Sequence, residues 1–210
     1  MVTSEQASTV MVTGVGTVDA TPDAVSIDLA VQVGAPDPAA SMRQAAEQLE
    51  KLLGVLDAAR VTSADRQTTG MRSNPSWDHE RNVESGFETS YSLHVVVDDL
   101  GGAGALVERA AQECGTALRL HGFALLVRDP EPHLRVAREQ AVLACRSQAE
   151  QLAAAAGCTL GRLVLLREGG DGPRAARLEH MSIKRPSGIA VEPGEQGMTV
   201  VVTATYELAD

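Results

Sequence analysis

Residues 24–33, AVSIDLAVQV, give the clearest indication of the fold class of this chain. Its large apolar residues alternate with small or polar ones, and they are Val25, Ile27, Leu29, Val31 and Val33. A period of two predicts a strand with one face buried and the other turned outward. We therefore expect a sheet that another layer of structure covers on one face.

A shorter apolar segment precedes this strand. Val10, Val12 and Val18 predict a first strand, although it contains Gly14 and Gly16. Two glycines in a strand indicate a bulge or a place where another backbone comes close. Residues 19–23 have the composition of a turn, so the sequence predicts that the two strands form a hairpin.

Beyond Gly34 the apolar period changes to that of a helix. Asp37 is the expected N-cap, because its carboxylate can accept hydrogen bonds from the first free N–H groups. The apolar positions that recur at helical spacing are Met42, Ala45, Ala46, Leu49, Leu52, Leu53 and Leu56. This amphipathic helix is expected to cover the sheet.

The remaining segments continue the alternation of strands and helices. We predict a long hairpin, a short helix entered through flexible glycines (Gly101, Gly102 and Gly104), a strand, the longest helix, another strand, a long loop and a final strand. The two arms of the hairpin lie at about 67–77 and 87–97, the short helix at 106–114, and the next strand at 118–127. The longest helix lies at about 134–156, the strand after it at 160–166, the long loop at 168–188 and the final strand at 198–208. Gly157 is the expected C-terminal cap of the longest helix.

The resulting order, ββαββαβαββ, predicts an α+β fold with a mainly antiparallel sheet and helices packed on it. We expect one domain over residues 1–210. Two lobes, at about 8–115 and 116–210, are the alternative arrangement.

Composition and charge exclude several classes of function. The hydrophobic fraction of 44% and the charged fraction of 22% are those of a globular protein. The formal net charge of -10 repels nucleic acid, which is therefore not an expected partner. No run approaches the roughly 18 to 20 apolar residues of an integral membrane segment. Because no leader or anchor is visible before Val10, we expect a soluble cytoplasmic protein, with an envelope location as the alternative if a leader has been removed.

Three cysteines, Cys114, Cys145 and Cys158, are candidate redox thiols. Their odd number and the lack of CxxC spacing argue against a disulfide framework and a structural zinc site. All three lie in or beside alanine-rich helical stretches. We therefore favour buried packing roles for them.

No pattern of residues predicts a catalytic, cofactor-binding or metal site. Asp78, His79 and Glu80 are adjacent, but neighbours on an extended chain point to opposite faces, so a solvated hairpin tip is the expected role. A surface metal site completed by another subunit is the alternative. The histidines lack HxxxH or HExxH spacing, and no GxSxG turn presents a serine nucleophile. We expect no cofactor.

A run of basic residues lies in the long loop of an otherwise acidic chain. It consists of Arg174, Arg177, Lys184 and Arg185. These cations are a candidate oligomer contact that would meet an acidic patch on another copy. Ordinary solvation is the alternative.

The order of these segments resembles the SIMPL-domain family over nearly the whole chain. The resemblance lies in residues 12–16 with 22–24, residues 86–97, the alanine-rich stretch 137–157 followed by Leu160 and Gly161, and residues 193–208. It implies an α+β fold, frequent homo-oligomerisation and a loose association with stress tolerance. It supplies no catalytic residues, and the export leader or lipid anchor of many relatives is not visible here.

The sequence therefore favours a non-enzymatic, self-assembling scaffold or binding protein, with a homo-oligomer as the expected state and the protein partner unidentified. A cysteine-based redox or small-ligand sensor is the alternative. An enzyme with an unrecognised site is the third class, and a deep pocket with several titratable groups would favour it.

Overall fold

A computed structural model describes residues 8–78, 83–169 and 194–209. These residues form three α-helices and seven strands, and the strand pairs are antiparallel. In chain order the elements are β1 (Thr9–Ala20), β2 (Ala24–Ala35), α1 (Pro38–Ala58), β3 (Arg66–Asp78), β4 (Val83–Val97), α2 (Leu100–Cys114), β5 (Leu118–Leu126), α3 (Glu131–Ala155), β6 (Thr159–Glu168) and β7 (Gln196–Ala209). The predicted α+β fold and the order ββαββαβαββ are confirmed.

The described residues divide into two compact units. One unit contains residues 22–78 and 83–128, with a four-stranded sheet in the order β3-β4-β2-β5. The other combines residues 8–21, 129–169 and 194–209, with a three-stranded sheet in the order β1-β7-β6. Among the described residues, none of the helices combines the length and the apolarity that crossing a membrane requires.

The four-stranded unit is built around β2, which contains residues 24–33. β2 pairs with β4 on one side and β5 on the other, and its inward residues are almost fully buried. Helices α1 and α2 contribute apolar side chains to the same core, because both are amphipathic. The core includes Ile27, Leu29, Leu52, Leu56, Leu93, Val95, Leu106, Val107 and Ala110.

Aspartates begin both helices of this unit. The Asp37 carboxylate accepts a hydrogen bond from the Ala40 N–H at 2.9 Å, which confirms the predicted cap. Asp99 accepts from the Gly102 N–H at 2.9 Å and starts α2 at Leu100. The prediction of a flexible glycine segment before this helix is wrong, because the cap draws those glycines into its first turns.

The predicted hairpin of β1 and β2 is also wrong. β1 pairs along its whole length with β7, from Thr9 opposite Glu207 to Ala20 opposite Gln196. The turn residue Asp23 instead bonds to the end of β5, where its N–H donates to the Leu126 carbonyl and its carboxylate accepts from the Arg128 N–H. These bonds hold the start of β2 beside the end of β5 instead of beside β1.

The three-stranded unit depends on the close approach of α3 to β1. A Cβ atom at Gly14 would lie 2.1 Å from the carbonyl oxygen of Ala141, and one at Gly16 would lie 1.9 Å from that of Ala137. The facing residues of α3 are small and buried, and they are Ala137, Ala141, Cys145, Ala149 and Ala153. The glycines therefore provide the close backbone approach that the sequence indicated.

Gly157 terminates α3 as predicted. Its φ of 76° places it in the left-handed region. The Gly157 N–H donates to the Ala154 carbonyl, and the Cys158 N–H donates to the Ala153 carbonyl, as in a Schellman motif.

We predict that Gly14→Ala destabilises the three-stranded unit by at least about 2 kcal/mol, because the new methyl group collides with backbone atoms that cannot rotate away. Gly169→Ala is the matched control in the same unit, since a Cβ there meets no atom within 4 Å. Urea denaturation followed by circular dichroism measures both. Equal stabilities of the two variants would contradict the close contact.

Arg128 donates hydrogen bonds to the side chains of three aspartates in the four-stranded unit. Its Nη1 donates to Asp65 at 2.6 Å, its Nε donates to Asp98 at 2.6 Å, and its backbone N–H donates to Asp23. The hydrogen bond from Arg128, helped by one from Thr62, lowers the pKa of Asp65 below its ordinary value of 3.8.

We predict that Arg128→Gln lowers the thermal midpoint at pH 7 by about 2 to 4 °C. Because the pKa of Asp65 is lower in the folded state, its ionised form stabilises the fold above pH 3.8, and this contribution is lost as pH falls through the folded-state value. The difference in thermal midpoint between the variant and the parent should therefore become smaller below pH 3.8. Differential scanning calorimetry from pH 7 to pH 3 measures it, and a gap that widens in acid would contradict the role of Asp65.

Candidate self-association surface

The helix of the three-stranded unit covers one strand, β6, much less than the other two. α3 packs chiefly on β1 and β7, because the glycines of β1 draw the helix toward that side of the sheet. β6 pairs with β7 on one side only and is an edge strand among the described residues. Every residue from Arg162 to Gly169 is exposed.

Four consecutive residues of this edge strand are large, apolar and exposed. The exposed fractions are 46% for Leu163, 53% for Val164, 40% for Leu165 and 45% for Leu166. On α3 the nearby Leu143 is 66% exposed. We call these five residues the leucine surface. A run of this kind on a strand is unusual unless something binds to it.

The strand register shows how the leucine surface is arranged. Leu163 lies opposite Tyr206 and Leu166 lies opposite Ala204, so both side chains are on the face of the sheet that α3 covers. Leu165 lies opposite Thr205 and is on the other face. The leucine surface therefore wraps around the edge of the sheet.

A groove of about 400 Å³ runs between α3 and β6. Its lining surface is polar and apolar in nearly equal parts, and the polar part includes the ion pair of Arg146 and Glu150 at 2.9 Å. The other lining residues are Val142, Leu143, Leu160, Gly161, Leu163 and Tyr206. The groove exists because α3 contacts β6 far less than it contacts β1.

Further ion pairs border the leucine surface. Arg162 binds Glu207 through both carboxylate oxygens, and its hydrogen bonds lower the pKa of Glu207. Arg138 donates hydrogen bonds to Glu131 and to Glu168. Both bonds raise the pKa of Arg138, and the bond to Glu131 has the larger effect. The apolar residues are thus framed by charges that are already paired within the chain.

The hydrogen-bonding edge of β6 is irregular. Its register with β7 shifts between Leu160 and Leu163 and again between Leu163 and Leu165. Bulges and charged side chains are features that discourage the addition of another strand to an edge. The side chains of the leucine surface, and not the backbone of β6, are therefore the groups suited to binding.

Several of the sequence-predicted candidates lie outside the described residues. These are the basic oligomer-contact residues Arg174, Arg177, Lys184 and Arg185, and the neighbours His79 and Glu80. The contact made by the basic run stays a prediction.

The structure separates the three candidate redox thiols. Cys145 is fully buried, and its Sγ donates to the Val202 carbonyl at 3.2 Å. Cys114 is buried between α1 and α2, and burial raises the pKa of its thiol. Cys158 is half-buried just after α3. A sensor cysteine needs an accessible thiol of low pKa, so the positions of Cys114 and Cys145 favour packing roles.

One histidine takes part in a polar pair. His94 Nδ1 lies 2.7 Å from Asp28 Oδ1, across the pairing of β2 with β4. Both side chains are partly exposed. Within residues 8–78, 83–169 and 194–209, no three His, Cys, Asp or Glu side chains are grouped as metal ligands would be.

Sequence reasoning missed the leucine surface, although the signal was present. Residues 163–166 form an unbroken apolar run between Arg162 and Arg167. Such a run is typical of a strand buried on both faces. The flanking arginines were the sign that this strand is exposed at an edge.

A comparison with protein families gives one match that covers most of the chain. The model of the SIMPL family, described as "Protein of unknown function (DUF541)", matches residues 10–206.

Curated relatives match over a similar extent. The 26 kDa periplasmic immunogenic protein of Brucella melitensis is 26% identical over 217 residues, which cover 97% of this chain and 86% of the relative. The uncharacterized protein YggE of Escherichia coli K12 is 23% identical over 202 residues, covering 95% of this chain and 77% of the relative. YggE of Edwardsiella ictaluri is 26% identical over 161 residues, with coverage of 75% and 66%.

We predict that a thiol reagent at neutral pH modifies about one cysteine per native chain and all three after denaturation, because only Cys158 is accessible. Ellman's reagent measures both values. The variant Cys158→Ser should remove the native reaction. Rapid modification of Cys114 or Cys145 in the native protein would instead support the redox-sensor alternative.

Proposed function

This chain belongs to the SIMPL family, and on that premise we propose that it is a non-enzymatic scaffold or binding protein that assembles with copies of itself through the leucine surface. Assembly would bury apolar area that the isolated chain exposes to water. A link of this assembly to stress tolerance, which the family resemblance implies, is a prediction of the same proposal.

One observation carries the proposal, namely the four consecutive exposed apolar residues from Leu163 to Leu166. Burying one such side chain fully stabilises a protein or complex by roughly 1.5 to 3 kcal/mol. Each of the four is 40% to 53% exposed, so the isolated chain forgoes roughly half of that stabilisation for each side chain. A second copy that covers the leucine surface would recover it.

The name of one curated relative supports a place of action in the envelope. The Brucella melitensis relative, which aligns with nearly all of this chain, is named periplasmic. We accordingly replace the cytoplasmic location expected from the sequence with the periplasm as the proposed location. Fractionation of the source cells by osmotic shock tests it, and recovery of the protein with cytoplasmic markers would reject it.

We predict that the protein elutes as an oligomer and that Leu163→Glu weakens this assembly about tenfold or more, because it places an uncompensated charge in an apolar interface. Light scattering coupled to size-exclusion chromatography over a wide concentration range measures the mass.

Leu120→Glu is the matched control for this substitution. Leu120 is also 46% exposed and also lies on an edge strand, but it belongs to β5 of the other unit. The control should keep the oligomeric mass of the parent. A parent protein that stays monomeric at every concentration would reject self-assembly, and equal effects of the two variants would reject the leucine surface as its location.

A further inference from the structure

The exposed face of α3 combines a protruding side chain with open grooves. Leu143 lines the groove that runs toward β6, and on α3 itself it borders a shallow depression formed with Arg138, Glu139 and Val142. A protruding residue beside a recess on one surface can fit a copy of itself when a two-fold axis relates the copies. The two Leu143 side chains then meet at the axis, and each fills the groove of the other copy.

Charges on α3 determine which orientation of two helices is favourable. Glu139 precedes Leu143 by four residues and Arg146 follows it by three, and helical geometry puts both on the flank of α3 that faces β6. In an antiparallel pair centred on Leu143, Glu139 of each copy comes beside Arg146 of the other. In a parallel pair the two residues lie on opposite flanks and do not meet.

Arg146 can accept this additional partner. Its Nε donates to Glu150 at 2.9 Å, but both side chains are more than half exposed, and a surface pair of this kind contributes little to stability. The guanidinium has five N–H donors, so a second carboxylate can bind without breaking the first contact.

We infer that α3 packs antiparallel against α3 of a second copy, with the two-fold axis at Leu143 and with Glu139 of each copy paired to Arg146 of the other. This pairing rests on the self-association proposed above and specifies how the Leu143 side of the leucine surface is covered. Strand addition through β6 is the competing geometry, and the register shifts of that strand oppose it.

A charge-swap experiment tests the pairing. Glu139→Arg and Arg146→Glu should each raise the dissociation constant roughly tenfold or more, because each creates two like-charge contacts across the axis. The double variant E139R/R146E should restore assembly, since the exchanged charges meet again. Gln151→Arg, a charge added on the other flank of α3, is the control and should leave the dissociation constant unchanged. Sedimentation equilibrium measures all four variants, with circular dichroism to verify their folding.

A disulfide across the axis provides an independent readout. Leu143→Cys in a Cys158→Ser background should form a covalent dimer under mild oxidation, which a non-reducing gel detects. Arg135→Cys in the same background is the control on the exposed surface of α3 and should cross-link much more slowly, because its two copies lie far apart in an antiparallel pair.

The outcomes separate the two proposals. A parent protein that is monomeric at all concentrations overturns both. An oligomeric parent whose double charge variant stays dissociated, and whose Leu143→Cys variant forms no covalent dimer, overturns the α3 pairing and leaves self-association in place. Restored assembly together with the covalent dimer supports both.

Discussion

The arrangement of the three-stranded unit depends on direct contact between the backbones of β1 and α3. Gly14 and Gly16 bring β1 so close to α3 that not even a methyl group fits between them. The residues of α3 that face these glycines are alanines and Cys145, whose thiol donates a hydrogen bond to a carbonyl of β7. Because this contact fixes α3 over β1 and β7, the helix cannot also cover β6. The leucine surface is thus a consequence of the same contact that holds the unit together.

Much of the fold could be predicted from the sequence, because apolar period and capping residues are local signals. The alternation in residues 24–33 and the Asp37 and Gly157 caps all led to the observed elements. The pairing of β1 could not be predicted in the same way. Its partner β7 lies at the other end of the described chain. A two-residue apolar period shows which face of a strand is buried, but it does not show which strand pairs with it.

The candidate site was harder to predict than the fold. The apolar run in β6 is visible in the sequence, but the same run would suit a strand at the centre of a sheet. Its exposure depends on where α3 lies, and that position follows from tertiary contacts at two glycines of a distant strand. The cysteines illustrate the same limit, since the burial of Cys114 between two helices depends on their packing.

The pairing of β1 with β7 also constrains how the chain can be made. The described residues of the four-stranded unit all lie between 22 and 128, whereas β1 leaves the ribosome roughly ten to forty seconds before β7 at usual rates of translation. Throughout that interval the nascent β1 lacks its ladder partner β7, and for most of it α3 has not been made either. A chaperone that holds the newly made segment would therefore matter more for this unit than for the other, and premature termination of synthesis before residue 196 would leave β1 permanently unpaired.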